Sequence, residues 1–385
     1  MRIGFDGKRV AQNSTGLGNY SRSLLEMILK YNPEHQLYLY IPNRNKLQHL
    51  SRINEVAPQI ILRFPEHTLD KKFSSYWRLT RIRKDIQKDK IELFHGLSGE
   101  LPLGINRSQC KQIVTIHDVI FRSHPHFYHP MEYLFYHWKV QHICRVADRI
   151  IAISKFTKQQ IVKYYHVEEE KIDVVYQTCS PQYAEPISKR GLENVRKKYS
   201  LPKEYILYVG TIEERKNLLL IAKSLNYLKE SNRLGDIHVV VVGKDKKEYL
   251  HKVKEYIAQK SLGNRFIFFQ DFPFEDLPAL YRIATIFVYP SRIEGFGLPM
   301  LEAIMSGTPA IGCTGSCLEE AGGEHSLYVS PDNEVEMGEA IDRLWNDENL
   351  RSEMSNEGKI YAQNFAGEKT CQRLMEVYQK TMNGK

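Results

Sequence analysis

Residues 291–312 read "SRIEGFGLPMLEAIMSGTPAIG". The preceding run, "TIFVYPS", ends at Ser291 and has the β-branched and aromatic content of a buried strand. Pro299 suits the first turn of a helix, where its missing N–H costs nothing. The stretch therefore predicts strand, glycine loop and helix in succession, with Glu294 on the loop and Glu302 in the helix's opening turns. Gly295 and Gly297 let backbone amides approach a ligand closely, and unpaired amides at a helix start attract phosphate. A carboxylate only accepts hydrogen bonds and can take two from a vicinal diol. Two carboxylates flanking a phosphate cradle suit a nucleoside diphosphate sugar, which carries a hydroxyl pair at each end. A capped helix after a glycine-rich turn would use the same residue types.

Outward from this stretch, short β-rich runs alternate with amphipathic helical ones. "YILYVG", "IHVVVVG", "RFIFFQ", "TPAIGC" and "SLYVSP" accompany it in the later half, and "RIGFDG", "QLYLYIP", "IVTIHD", "RIIAIS" and "KIDVVY" occupy the earlier one. Such alternation predicts parallel sheets covered on both faces. The 385 residues are too many for one ordinary core. The expected fold is α/β, with two Rossmann-like, doubly wound domains facing a cleft, over residues 1–180 and 181–365. The polar stretch 178–202, with Pro181, Pro186 and Pro202, is the expected linker. The closing amphipathic helix, residues 366–385, is expected to cross back to the first domain. There is no short repeat and no low-complexity segment.

A hydrophobic fraction of 42% and a charged fraction of 26% are those of a globular protein. No run of about 18 apolar residues is available to span a membrane, and the opening "MRIGFDGKRV" reads as a first strand, not as a leader. The six cysteines are scattered; Cys313 and Cys317 lack a second pair at metal-ligand spacing, so free thiols in a reducing cytoplasm are expected and a metal is not. The net charge of +8 is uneven. Residues 1–180 hold 27 Lys/Arg against 17 Asp/Glu (+10), the remainder 27 against 29 (−2). The first half is built to meet something anionic.

Other short stretches add chemistry. In "YVGTIEERKNL", Gly210 ends a strand, and Arg215 and Lys216 lead into a helix. A departing diphosphate gains negative charge that these cations can offset. The chain has no Asp-x-Asp pair to hold a divalent metal under a diphosphate; a solvated Arg-Lys pair at a helix start remains the alternative. "IVTIHD" places His117 and Asp118 at the carboxyl end of a strand, and "LFHGLSGELP" does the same for His95. Ser154, after "RIIAI", has the character of a helix N-cap. "STGLGNY" (14–20) puts Gly16 and Gly18 in a turn before a helix. It lacks the third glycine of a dinucleotide fingerprint (Ser21 stands there), and Pro42 and Asn43 stand where an acidic residue is wanted.

Taken together, E-G-F-G-L-P-M-L-E followed by A-x-x-x-G-T-P resembles the E-x7-E signature of the retaining GT-B glycosyltransferases of family 4, and the other pieces recur in the family's order over most of the chain. The resemblance implies that Glu294 contacts hydroxyls of the donor sugar. Phe296, Gly297 and Leu298 would offer amides near sugar and phosphate, and Glu302 would bind the ribose diol. Gly16, Gly18, Gly210, Arg215 and Lys216 would surround the diphosphate. It implies that His117 lies near the donor sugar, with a positional and electrostatic role, and that His95 and Ser154 lie on the acceptor side. Retention in the family is attributed to front-face attack, the leaving phosphate taking the acceptor's proton. A double displacement would need a carboxylate on the opposite face of the sugar, for which Asp118 is the candidate. Family members often carry a basic residue directly after the glycine at 210; here Thr211 stands there.

Two segments bear on the acceptor. "KKFSSYWRLTRIRKDIQKDK" (71–90) has eight basic and two acidic residues, with Phe73, Trp77, Ile82 and Ile86 expected on one side. It could rest on anionic headgroups or be a solvated face over a core. "FRSHPHFYHPMEYLFYHWK" is dense in aromatics and histidines, as a sugar- or lipid-contacting loop or a core segment would be. The expectation is a metal-independent transferase with no cofactor, moving a hexose, mannose favoured, from a GDP- or UDP-linked donor to a glycan or lipid-linked acceptor. It would work in the cytoplasm, peripherally at the membrane. A sugar-nucleotide epimerase or hydrolase on the same fold is the enzymatic rival. A lectin-like binder is disfavoured by the intact charged set, and a nucleic-acid binder by the acidic second half.

Overall fold

The computed structural model describes residues 1–13, 16–50, 59–106 and 108–384. They form two compact units, Met1–Thr178 with Phe365–Lys385, and Cys179–Asn364. In the first, strands β1 (Arg2–Asp6), β2 (Gln36–Tyr40), β3 (Ile60–Arg63), β4 (Leu93–Gly96), β5 (Lys111–Ile116), β6 (Arg149–Ala152) and β7 (Ile172–Val174) build one sheet in the order β3-β2-β1-β4-β5-β6-β7. In the second, β8 (Ile206–Val209), β9 (Val239–Val242), β10 (Phe266–Phe269), β11 (Ile286–Tyr289), β12 (Ala310–Cys313) and β13 (Leu327–Val329) run in the order β10-β9-β8-β11-β12-β13. Every pairing is parallel. Both sheets are doubly wound, and in both the winding reverses beside the first strand: between β1 and β4, and between β8 and β11. Ligands of such sheets bind beyond the strand carboxyl ends at that reversal.

The runs of Val, Ile and Leu form strands because helices cover both faces of each sheet. All four residues of β9, "VVVV", are buried, and each contributes about 1.5–3 kcal/mol by leaving water. On one face of the second sheet, the helix Leu218–Glu230 buries Leu218, Ile221, Ala222 and Leu225 alongside Met337 and Ile341 of the helix Glu334–Asn346. In the first unit, the C-terminal helix Gly367–Met382 sets Leu374, Val377 and Tyr378 into the same core as Leu24, Leu25 and Ile28 of the helix Gly16–Tyr31. The six cysteines are buried, and none is in a disulfide.

Three expectations need correcting. The stretch 178–202 is not an open linker: Ser188 caps a helix, Lys189–Lys198, by accepting from the Gly191 amide at 3.1 Å, and Lys198 pairs with Asp276 at 2.7 Å. Segment 71–90 is not one amphipathic helix. It is broken into turns Thr68–Lys72 and Ser74–Tyr76, a π-helical turn Trp77–Arg81 and a helix Ile82–Lys88. The break turns Trp77 inward with Ile82 and Ile86, where its indole donates to Asp85 at 2.8 Å, while Phe73 faces out, 55% exposed. Gly16 and Gly18 do not form a turn before a helix; Gly16 opens the helix and Gly18 is buried in its first turn. A Cβ at Gly18 would lie 2.0 Å from the Asn13 carbonyl oxygen, so the space this glycine frees is filled by the chain itself. Their neighbours Ser14 and Thr15 lie outside the described residues.

Candidate functional site

Strands β8 and β11 are adjacent, with Ile206 opposite Ile286 and Leu207 opposite Phe287, so both open at the same sheet edge. Beyond β8 the chain passes Gly210 and makes a 3-10 turn, Glu214–Lys216, before Asn217 enters the next helix with a left-handed φ of 57°. Beyond β11, residues 291–297 form the glycine loop, and the helix Leu298–Ser306 follows. The two segments are stitched through their backbones. The Arg292 amide donates to the Arg215 carbonyl at 2.9 Å, and the Arg215 guanidinium donates to the Ile293 carbonyl at 2.8 Å. Gly297, at φ 108°, turns the chain into the helix; a Cβ there would lie 2.6 Å from Leu318 Cδ2, so the sharp entry admits only glycine. No side chain caps that helix start.

This stitching gathers charge on one carboxylate oxygen. Glu294 Oε1 pairs with Arg215 Nη1 at 3.0 Å and with Lys216 Nζ, and accepts from the hydroxyls of Ser291 at 2.5 Å and Tyr289 at 3.1 Å. Oε2 has no partner among the described residues, and the side chain keeps 11% of its exposure. Burial would raise the Glu294 pKa, but Lys216 and Arg215 outweigh it and hold the carboxyl down to about 2. Burial pushes the Lys216 ammonium down, against the pull of Glu294. Arg215 also pairs with Glu213 Oε1 at 2.9 Å, whose other oxygen takes Lys246 at 2.7 Å. The expected cation pair is thus assembled, and each cation already has a carboxylate partner.

Glu302 sits one turn and more into the helix in a different medium. Its Oε2 accepts from the Tyr281 hydroxyl at 2.9 Å, and the rings of Tyr281 and Tyr183 meet edge to face at 5.6 Å. It takes part in no ion pair among the described residues. Burial therefore dominates and raises its pKa to about 7, against the restraint of the Tyr281 bond. Phe296 is buried, Leu298 and Gly210 half-buried.

The first unit's candidates separate on inspection. His117, directly after β5, donates from Nε2 to the Leu97 carbonyl at 2.8 Å and accepts from the Gln177 amide at Nδ1 at 3.1 Å, with the Tyr20 ring edge-on at 4.7 Å. Burial lowers its pKa to about 4, so it is neutral at pH 7. Asp118 Oδ1 accepts from the Ile120 amide at 3.1 Å. Ser154 caps the helix Lys155–Tyr165 through the Thr157 amide at 2.9 Å. His95 is corrected: it is not on an acceptor-facing loop but inside β4, fully buried, with its ring nitrogens hydrogen-bonded to Tyr378 and Thr115 at 2.7 and 2.8 Å. Sequence reasoning missed Tyr289, Ser291 and Glu213, though the first two stand only five and three residues before Glu294. It also missed Tyr281, for which no local signal exists.

Two family models match nearly end to end: Glycosyltransferase Family 4 over residues 15–182 and Glycosyl transferases group 1 over residues 193–361. The chain is a glycosyltransferase that carries these two domains in succession. The transferase is 26% identical to O-antigen chain mannosyltransferase B of Escherichia coli, over 98% of this chain and 99% of that one. It is 28% identical to O-antigen chain mannosyltransferase RfbU of Salmonella typhimurium, over 70% and 69%. Among solved structures, a glycosyltransferase of Rickettsia africae aligns at TM-score 0.77 with 18% identity, covering 100% of the transferase and 99% of that chain. Anabaena HepE in complex with UDP and glucose aligns at 0.75 with 14% identity, covering 99% and 100%. The fold is that of the GT-B glycosyltransferases, with two Rossmann-like parallel-sheet domains.

Proposed function

We propose that the transferase moves a hexose, mannose, from a nucleoside diphosphate sugar to a lipid-borne glycan acceptor, with retention and without a metal. The mannose assignment is supported by the names of the O-antigen relatives. The observation that carries the donor assignment is the gathering of Arg215, Lys216 and Glu294 at the β8/β11 reversal beside an uncapped helix start. Two carboxylates, Glu294 and Glu213, against three cations, Arg215, Lys216 and Lys246, leave a net positive charge beside the place where a diphosphate would lie. That charge gains value as the bond from the anomeric carbon to the diphosphate breaks and its electron pair moves to the phosphate oxygen. Glu294, held ionised, presents Oε2 to sugar hydroxyls. Glu302 accepts from the ribose diol, and the amides of Gly297 and Leu298 receive phosphate oxygens, with Phe296 bracing the loop and Gly210 leaving room above β8. His117 serves as a neutral hydrogen-bonding group, since a pKa of about 4 leaves it no proton to give at pH 7.

With no cofactor, the acceptor's proton leaves on the departing phosphate. The work is placed at the cytoplasmic membrane face, where the basic first half meets anionic lipid. Calorimetric titration with GDP and UDP and their sugars tests the donor: tight binding of one diphosphate, lost in Lys216→Ala, is expected. Product anomer by NMR tests retention, and activity in EDTA tests metal independence. Turnover of donor at an unchanged rate without acceptor would assign a hydrolase instead.

A further inference from the structure

The first unit turns two apolar stripes outward. On the helix Pro130–Val146, Val140, Ile143 and Cys144 face the core. Met131, Leu134, Phe135 and Trp138 are 69, 59, 59 and 56% exposed. Their spacing of i, i+3, i+4 and i+7 makes one continuous helix face, the pattern that ordinarily seeks a core. In the broken segment before it, Leu69, Phe73 and Tyr76 repeat a spacing of i, i+4 and i+7 and are 63, 55 and 57% exposed, with Leu79 following at 43%. Elsewhere among the described residues, only Tyr31, Val335 and Ile360 are large apolar side chains with comparable exposure. The two stripes are neighbours: Arg78 and Lys139, each adjacent in sequence to a stripe residue, converge on the two oxygens of Glu100, Lys139 at 2.7 Å. The Leu103 amide behind them donates to the Leu79 carbonyl at 2.6 Å.

Charge identifies what covers this face. Lys71, Lys72, Arg83, Lys84 and Lys88 are exposed along the first stripe's segment. Lys71, Lys72 and Lys84 have no ion-pair partner among the described residues, and Lys88 has only a 4.0 Å contact with exposed Glu66. Across the second stripe the one exposed acid is Glu132, which is spent on the helix's capping box. A second copy of the chain would bring like charges together, and no helix among the described residues is long and apolar enough to cross a membrane. We propose that this face lies on an anionic lipid bilayer. Met131, Leu134, Phe135 and Trp138 enter the headgroup–acyl boundary, Phe73 and Tyr76 join them, and the lysines contact the anionic headgroups. The inference deepens the reading of a lipid-borne acceptor and rests on it for its purpose, but the docking itself needs neither donor nor acceptor.

Co-sedimentation of the full chain with phosphatidylcholine vesicles, with and without phosphatidylglycerol, tests it. Binding is expected only with the anionic lipid, weakening at high salt. The combined variants Leu134→Ser, Phe135→Ser, Trp138→Ser and, separately, Lys71→Glu, Lys72→Glu, Lys84→Glu should each lower the partition coefficient by roughly tenfold or more. Both should keep the wild-type melting temperature and nucleoside diphosphate affinity, which separates loss of docking from loss of fold. Trp138 emission should shift to the blue on anionic vesicles, a shift absent from Trp138→Phe. Wild-type protein that ignores anionic vesicles, or variants that bind them equally, would overturn the proposal. So would a dimer that the serine variant dissociates, which would make the face a contact between copies. Vesicle binding that survives while no nucleotide binds would sink the donor reading and leave this one standing.

Discussion

Glu294 and Glu302 are eight residues apart on one loop and helix, yet their environments drive them in opposite directions. The first is held by two cations to a pKa of about 2; the second, among tyrosines, is raised to about 7. Glu294 is buried and Glu302 half-buried, and burial pushes both carboxyls up; what decides the charge state is whether the fold brings a cation to the carboxylate. Glu294 gets two because the turn after β8 is bonded to the loop after β11. Glu302 faces back towards the helix Leu277–Ile283, where Tyr281 offers only a hydroxyl. At neutral pH one is a fixed anion and the other is poised between forms. The difference suggests a division of labour: a permanent charge near the bond that breaks, and an adjustable acceptor at the nucleoside.

The contrast breaks most severely by removing the cation. Lys216→Ala deletes a buried ammonium that faces both Glu294 and the expected diphosphate. A fall of roughly 10²–10³ in kcat/KM is expected, by analogy with loss of one preorganised charge-stabilising donor, together with weaker nucleoside diphosphate binding in calorimetry. Unchanged affinity would remove Lys216 from the donor site. Glu294→Gln keeps the shape but leaves Lys216 without its carboxylate and Arg215 with Glu213 alone. Stability should drop by about 3 kcal/mol in urea melts, the scale for breaking a buried pair, and turnover by roughly 10². The cations should bind diphosphate no worse than before. Affinity lost in the first variant and kept in the second separates the phosphate's partner from the sugar's.

How far this was readable beforehand depends on whether partners are local in sequence. The six strands of the second unit could be marked because each is a short run of mainly aliphatic and aromatic residues, fully or mostly buried in β8, β9, β11 and β12. β3, "IILR", was missed: it is an edge strand like β10, but its apolar run is three residues long and ends in Arg63. The loop-to-helix reading of 291–306 holds because Gly297 and Pro299 dictate it locally. That Glu294 and Lys216 meet was not legible, since the contact spans 78 residues and depends on β8 and β11 being neighbours. His95 and His117 look alike in sequence, each near a strand's carboxyl end. Only the arrival of Tyr378 from the C-terminal helix, 283 residues away, reveals that His95 is internal. The break at Trp77 was hidden too: eight basic residues suggest a solvated helix, and nothing nearby says that the indole turns inward to reach Asp85.

The same two carboxylates predict opposite slopes of stability with pH. Glu294 is depressed from 4.5 to about 2, so the stability it contributes is present above about 4.5 and is lost as pH falls towards 2. Glu302 is raised from 4.5 to about 7; the folded state holds its proton longer than the unfolded one, so its contribution is greatest below about 4.5 and is lost as pH rises through 7. Urea melts from pH 5 to 8 should show a falling limb that Glu302→Gln abolishes and Glu294→Gln leaves in place. Nucleoside diphosphate affinity should move the other way, rising by up to roughly tenfold per pH unit below the Glu302 pKa, because only the ionised form accepts both diol protons. A flat wild-type profile would mean that Glu302 is ionised throughout, and the contrast with Glu294 would fail.

The finest adjustment is Tyr281→Phe. The hydroxyl at 2.9 Å from Glu302 favours the carboxylate, and its loss leaves burial less opposed, so the Glu302 pKa should climb further. The midpoint of the affinity–pH curve should then move up by a fraction of a unit, lowering affinity at pH 7 by about twofold, on the scale of one neutral hydrogen bond, with the plateau at higher pH unchanged. A ligand lacking the 2′ and 3′ hydroxyls should be indifferent to the substitution. If Tyr281→Phe instead lowers the plateau itself, the tyrosine touches the nucleoside directly. Glu302 would then owe its position, and not its charge state, to that side chain.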